Sequence, residues 1–152
     1  PSGGTPSVPS TKAWNDMNVI IGYQYFGSSQ NESTKLWQNM YFVYVETDDM
    51  IKSRGCKLVG LLLRTSNDDK IYLSKASNGM KLNPNTQRVD GKTWYYLWAY
   101  AGDSGNKFET LIYTRTTSKP ISTTFESKIL LESKTGETFI SSWTDKNTVK
   151  KQ

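Results

Sequence analysis

The sequence predicts an all-β fold, an antiparallel β-sandwich or barrel-like domain with little helix. Apolar and polar residues alternate with a period of two over most of the chain, which is typical of strands that cover a core with one face. Turn-forming residues recur about every ten residues, a spacing typical of sandwiches and barrels. No segment sustains a helical period. The 152 residues suit one domain of ordinary size.

Eight or nine strands follow from these patterns. Residues 58–63 are apolar throughout, which predicts a strand covered on both faces. Residues 67–69 and the pair Asp90-Gly91 both predict hairpin turns, because Asn, Asp and Gly tolerate the backbone angles of tight turns. The clearest strands lie at residues 19–26, 41–46, 58–63, 71–73, 94–100, 108–114, 121–131 and 138–143.

Both ends of the chain are predicted to lie outside the folded part. Residues 1–10 hold three of the five prolines with Gly and Ser between them, so residues 1–12 are expected to form a linker or hinge. Residues 144–152 are polar and charged, and we expect them to form a flexible tail. A single β-rich recognition domain then spans residues 13–143.

The chain lacks most of the residues that catalytic sites use. It has no histidine and one cysteine, Cys56, which excludes Ser-His-Asp and Cys-His chemistry and a thiol-based zinc site. The 14 acidic residues are adjacent only at Asp48-Asp49 and Asp68-Asp69, where solvated turns are favoured over a catalytic pair. We therefore expect a non-catalytic domain without a metal or cofactor.

The distribution of charge argues against two classes of partner. The net charge is +5, but the basic residues are spread singly, apart from Lys150-Lys151. That pattern is not the footprint of a nucleic-acid groove, so no nucleic-acid partner is expected. No apolar run approaches the roughly 20 residues that span a bilayer, and no membrane insertion by this domain is expected.

The aromatic strand at residues 94–100 is the best pointer to a binding site. Period-two geometry places Trp94, Tyr96, Trp98 and Tyr100 on one face. Rings with a polar handle can meet the flat C–H faces and hydroxyls of a sugar, and they also dominate protein–protein hot spots. The same face could equally be core, because Tyr and Trp are tolerated inside when their polar atoms find partners.

Polar loop residues on either side of this strand could complete a site. Arg88 precedes the strand and Asn106 follows it. Loops at one end of a sandwich often carry binding residues, although Asn and Asp also belong in loops for turn reasons alone. The candidate ligand-binding set is therefore Trp94, Tyr96, Trp98, Tyr100, Arg88 and Asn106.

Five segments follow one another in a recognisable order, namely residues 57–62, 70–73, 84–86, 121–127 and 129–134. This ordered set resembles the receptor-binding head domain of rotavirus-type outer-capsid spike proteins. The resemblance implies a lectin-like β-sandwich that engages glycans on the host cell surface. The segment between residues 86 and 121, which includes the aromatic strand, has no counterpart in the family, so no binding residue is carried over.

The expected function is receptor or glycan recognition without catalysis. The head of a viral attachment spike would place the domain on the outer capsid of a virion, as part of a larger oligomeric spike. Its partner would be a host cell-surface glycan or protein receptor, bound through shallow contacts by several copies together. The alternative is a carbohydrate-binding or adhesion module of a cellular surface protein, with an extracellular or cell-surface location.

Overall fold

The computed structural model describes residues 18–47, 56–74, 80–99, 107–119, 121–133, 135–141 and 143–151. These residues form ten strands and no helix, which confirms the predicted all-β class. The strands are β1 (Val19–Gln30), β2 (Trp37–Thr47), β3 (Cys56–Thr65), β4 (Ile71–Leu73), β5 (Met80–Val89), β6 (Lys92–Ala99), β7 (Lys107–Thr116), β8 (Ser122–Ser133), β9 (Thr138–Ile140) and β10 (Asp145–Lys150).

The strands form two antiparallel sheets. The first sheet has four strands in the order β1-β2-β7-β4. The second has six, with the order β10-β8-β3-β6-β5 and β9 paired to β8. Every described strand pair is antiparallel. The architecture is thus a β-sandwich, as the alternation predicted.

The main core lies between the two sheets. From the first sheet, β2 contributes Tyr41, Val43 and Val45, each 0 % exposed. The second sheet faces them with Leu58, Leu61, Leu63, Leu97, Phe125, Ile129 and Leu131. The Phe125 ring stacks on that of Tyr23, with centroids 4.2 Å apart, and meets the Tyr41 ring edge-on at 4.8 Å. The two sheets are therefore joined by aromatic as well as aliphatic contacts.

A second cluster lies on the opposite face of the second sheet. It consists of Leu62, Trp94, Tyr96, Leu130 and Ile140, all buried, and we call it the outer cluster. Because β3 packs into both clusters, its apolar run is covered on both faces, as predicted.

The two predicted turns have different outcomes. Asp90 and Gly91 take φ values of 54° and 75° and join β5 to β6, so this hairpin is confirmed. The hairpin prediction for residues 67–69 is wrong, because β3 and β4 lie in different sheets. The Thr65 hydroxyl oxygen accepts the Asp69 N–H at 2.9 Å and anchors this crossing from one sheet to the other.

The predicted tail at residues 144–152 is wrong where the structure describes it. Strand β10 pairs with β8 from Asp145↔Ser127 to Lys150↔Ser122. The Asn147 side chain also donates a hydrogen bond to the Ile21 carbonyl of the first sheet at 3.2 Å. An edge strand is held mainly by backbone hydrogen bonds, so the polar sequence of β10 did not predict a strand. The predicted linker at residues 1–12 lies outside the described residues.

Lys151 follows β10 and is buried, with 9 % of its surface exposed. Its ammonium donates a hydrogen bond to Thr123 Oγ1 at 3.0 Å and lies 5.0 Å from the centroid of the Tyr41 ring. Burial lowers the pKa of the Lys151 ammonium to about 8, and the charge of Asp69 opposes this change only in part. Folding therefore disfavours the charged form of this side chain.

We predict that Lys151 makes the free energy of unfolding rise between about pH 8 and pH 10. The ordinary lysine pKa is 10.5, so in this window the unfolded chain binds more protons than the folded chain, and stability increases with pH. The rise should be about 2 kcal/mol, given about 1.4 kcal/mol per pKa unit, and Lys151→Met should remove it because methionine does not titrate.

Urea unfolding at pH 7, 8, 9 and 10 checks this prediction, with Lys150→Met as the matched control. Lys150 is the neighbouring lysine and is exposed. A rise of equal size in the wild type and in Lys151→Met would show that another group causes it.

Candidate functional site

The predicted aromatic face of β6 lies largely inside the protein. Trp94 is 1 % exposed and Tyr96 is 6 % exposed, both within the outer cluster. The Trp94 indole donates to the Val89 carbonyl at 3.1 Å, and the Tyr96 hydroxyl donates to Gln87 Oε1 at 2.6 Å. These partners satisfy the polar atoms that would otherwise oppose burial. The structure therefore corrects the binding role of Trp94 and Tyr96: they are core residues.

The burial of the other predicted site residues that the structure describes neither assigns them to the core nor shows a role in binding. Trp98 is half-buried, and its ring stacks on Tyr96 with centroids 5.3 Å apart. Arg88 is exposed and braces the β5–β6 turn, donating to the Gly91 carbonyl at 2.6 Å and to Thr93 Oγ1 at 3.0 Å. Tyr100 and Asn106 lie outside the described residues. A ligand-binding role for Trp98 and Arg88 stays a prediction.

A different surface carries one exposed and four half-buried aromatic residues. Alternation in the first sheet turns one set of side chains into the main core and the other set away from it. Eight side chains of the outward set on β1, β2, β4 and β7 are apolar or aromatic, with Gln24, Glu46 and Glu109 interspersed among them, and we call these eight the open face. They are Ile20, Phe26, Met40, Phe42, Tyr44, Tyr72, Leu111 and Tyr113.

The strand register places these side chains in adjacent rows. Met40 lies opposite Tyr113, which in turn lies opposite Tyr72. In the next row Phe42 is opposite Leu111. The open face is therefore one continuous patch across the sheet.

Cations border one corner of the open face. The Tyr72 and Tyr113 rings are stacked almost parallel, with centroids 4.9 Å apart. The Arg115 guanidinium lies 4.6 Å from the Tyr72 centroid and 5.6 Å from that of Tyr113, and the Lys70 ammonium lies 5.3 Å from Tyr72. The corner is thus rigid, aromatic and positively charged, a combination enriched at protein interfaces.

The open face differs from the outward face of an ordinary antiparallel sheet because it exposes large apolar side chains. Phe26 is 63 % exposed and Ile20 is 57 % exposed, whereas the outward face of a core-covering antiparallel sheet is normally polar. Strand spacings make the patch about 15 Å wide and 20 Å long, about 300 Å² in area. That area falls in the range of about 300–600 Å² that is typical of the largest, often functional patch of a monomer.

Sequence reasoning missed this face although its signal was present. Strand β2 is apolar at both sets of alternate positions, with Tyr41, Val43 and Val45 on one set and Phe42 and Tyr44 on the other. That pattern is typical of a strand covered on both sides. Only the arrangement of the sheets shows that one side is the open face.

Two further kinds of feature are absent among the described residues. No three of their His, Cys, Asp and Glu side chains lie close enough together to hold a metal ion. Among the same residues, there is no helix whose length and hydropathy would let it cross a bilayer.

The similarity of this chain to known proteins is limited to the fold. No protein-family model matches this sequence, and no curated protein matches it. A cohesin module from a Clostridium perfringens family 33 glycoside hydrolase is similar in structure, with 12 % identity over 88 % of this chain and 95 % of that one, at a TM-score of 0.50. The major subunit of aggregative adherence fimbriae type I from Escherichia coli is 14 % identical over 89 % of this chain and 93 % of that one, at a TM-score of 0.41.

Proposed function

We propose that this domain is a non-catalytic recognition module that binds a protein receptor through the open face. The observation that carries the proposal is the exposed apolar and aromatic surface of a sheet whose other side is already covered by the core. Exposed patches of this kind mark interaction sites in monomeric proteins. The lack of histidine supports a module without catalysis.

The arrangement of rings favours a protein over a sugar as the partner. A sugar needs an uncovered ring face against its C–H groups. Tyr72 and Tyr113 are less available for this contact, because their rings are stacked on each other and the Arg115 guanidinium lies over them. A flat patch of Phe, Tyr, Met and Arg suits a complementary protein surface.

The size of the patch implies weak binding by a single copy. A stable complex buries about 800 Å² on each partner, more than twice the area of the open face. Useful affinity then requires several linked copies. This requirement suits the head of an oligomeric viral attachment spike on a virion surface, the setting that the resemblance implies, and equally an adhesion module on a cell surface. The cohesin fold supports a modular role, since that structure is itself one module of a glycoside hydrolase.

We predict that the double variant Phe26→Ser, Phe42→Thr loses cell binding by about tenfold or more when four copies are linked, because each hot-spot residue contributes more than 1 kcal/mol. The domain is mounted on a tetrameric scaffold, and binding to a panel of vertebrate cell lines is measured by flow cytometry. Circular dichroism and thermal unfolding check that the fold survives.

Ile121→Ser is the matched control, since Ile121 is 83 % exposed and precedes β8 of the second sheet. Binding of the double variant at the wild-type level would refute the role of the open face. Protease treatment of the cells should abolish binding. Loss of binding after deglycosylation alone would replace the protein receptor with a glycan.

A further inference from the structure

A cleft at the Arg64 end of the second sheet carries a second, separate inference. It has a volume of about 340 Å³, near the lower end for small-molecule sites. Three cationic side chains from three strands line it: Arg64 of β3, Arg88 of β5 and Lys92 of β6. Two carboxylates, Asp68 and Asp69, and Tyr95 also contribute to its wall.

Arg64 is the buried member of this group. It is 6 % exposed, and its Nη1 atom donates to the buried carboxylate of Glu126. Lys92 Nζ also donates to Glu126, at 3.1 Å. The inner carboxylate therefore positions two of the three cations, and it fixes the orientation of the Arg64 guanidinium.

The outer edge of the Arg64 guanidinium is incompletely used. Nη2 donates to Asp68 Oδ1 at 2.5 Å, but the buried Nε atom has no acceptor among the described residues. The Nε and Nη2 hydrogens point the same way and together match the two oxygens of one carboxylate. A buried N–H without an acceptor destabilises the folded protein. Asp68 accepts from Nη2 only, so the Nε–H can still donate to an oxygen of a ligand.

Asp68 is well placed to be displaced. Its side chain is 73 % exposed, and its backbone has a φ of 58° in the β3–β4 crossing. An incoming carboxylate would exchange one carboxylate partner of Arg64 for another, so the buried guanidinium keeps its charge partner when Asp68 leaves. Asp68 then occupies the position of the ligand carboxylate while no ligand is bound.

We propose that this cleft binds a carboxylate group of a ligand, held in two-pronged fashion by Nε and Nη2 of Arg64 and supported by the charges of Arg88 and Lys92. The carboxylate could come from an acidic side chain of a protein partner or from an acidic sugar. This inference does not depend on the open face.

The Arg64 Nε–H resonance in proton–nitrogen NMR spectra reports directly on the site. We predict a saturable shift of this resonance on addition of sodium acetate at constant ionic strength, with no such shift on addition of acetamide. Arg88→Gln should weaken acetate binding about tenfold, the usual effect of losing a charged partner, and Asp68→Asn should tighten it. Lys57→Gln is the control, because Lys57 lies at the opposite end of β3.

Two further titrations separate the sources of the carboxylate. N-acetyl-aspartate amide represents an acidic side chain, and glucuronate represents an acidic sugar; the tighter of the two identifies the class. The absence of a saturable shift with acetate, or equal affinities in the wild type, Arg88→Gln and Asp68→Asn, would overturn the proposal. Either outcome leaves the cell-binding experiment on the open face unaffected.

Discussion

Gly60→Ala is expected to unfold the domain or to destabilise it by about 3 kcal/mol or more, the upper range for overpacking a well-filled core. Gly60 lies in the centre of β3, between β8 and β6, where the β3–β8 register shifts. A Cβ atom at this position would lie 2.2 Å from the Leu97 carbonyl oxygen and 3.3 Å from a Leu130 methyl group. The first contact is with backbone, so strand β6 itself would have to move.

Urea unfolding of Gly60→Ala measures this effect against Gly22→Ala. Gly22 lies on β1, and a Cβ atom there would meet nothing within 4 Å. The control should change stability by less than about 0.5 kcal/mol, as surface substitutions usually do. Insoluble expression of Gly60→Ala beside a soluble control agrees with the account. Equal stabilities of the two variants would show that β6 is free to shift.

Period-two alternation predicted the apolar strands, because it reflects a direct physical requirement, but it missed the polar strands β5 and β10. Residues 121–131 show how far this reaches: Phe125, Ile129 and Leu131 have the same parity in the sequence and share the core face. Ile121 has the same parity but lies before β8 begins and is 83 % exposed. Alternation thus predicts which residues share a face but not where the partner sheet ends.

The buried charges show a second limit. Glu126 and Lys128 lie on the face of β8 that alternation marks as polar, yet they are only 6 % and 2 % exposed. Glu126 is paired with Arg64, and Lys128 Nζ lies 3.3 Å from Asp90 Oδ2. Such burial depends on partners from distant strands, and pattern reasoning within one strand has no access to them.

The binding role predicted for Trp94 and Tyr96 is wrong for the same reason, since both side chains are buried. The shared parity of Trp94, Tyr96 and Trp98 was inferred from the sequence, but whether that face was open depends on what covers it. Conversely, β2 was apolar on both sides and one side proved to be open. Composition and hydrophobic period cannot distinguish an apolar strand face that the same chain buries from one that it leaves uncovered.

Placing an N-linked glycan on the open face should reduce cell binding of the tetrameric domain to background. Gln24→Asn combined with Phe26→Thr creates an acceptor sequon on β1, and both positions are exposed. A glycan is bulky and hydrated, so it shields the neighbouring rings from any partner while leaving the core untouched. Phe26→Thr alone separates the effect of the glycan from the loss of one ring.

The matched control carries its glycan on the other sheet. Lys146→Asn creates a sequon with the existing Thr148 on β10, where Lys146 is exposed. All variants are made with Ser33→Ala, which removes the native sequon at Asn31. Glycan occupancy is verified by mass spectrometry before binding is compared.

Flow cytometry of these two glycosylated forms tests whether the open face of the first sheet is the binding surface. We expect the glycan on β1 to abolish cell binding and the glycan on β10 to leave it at the wild-type level. Full binding by the form with a glycan on β1 would show that the binding surface lies elsewhere.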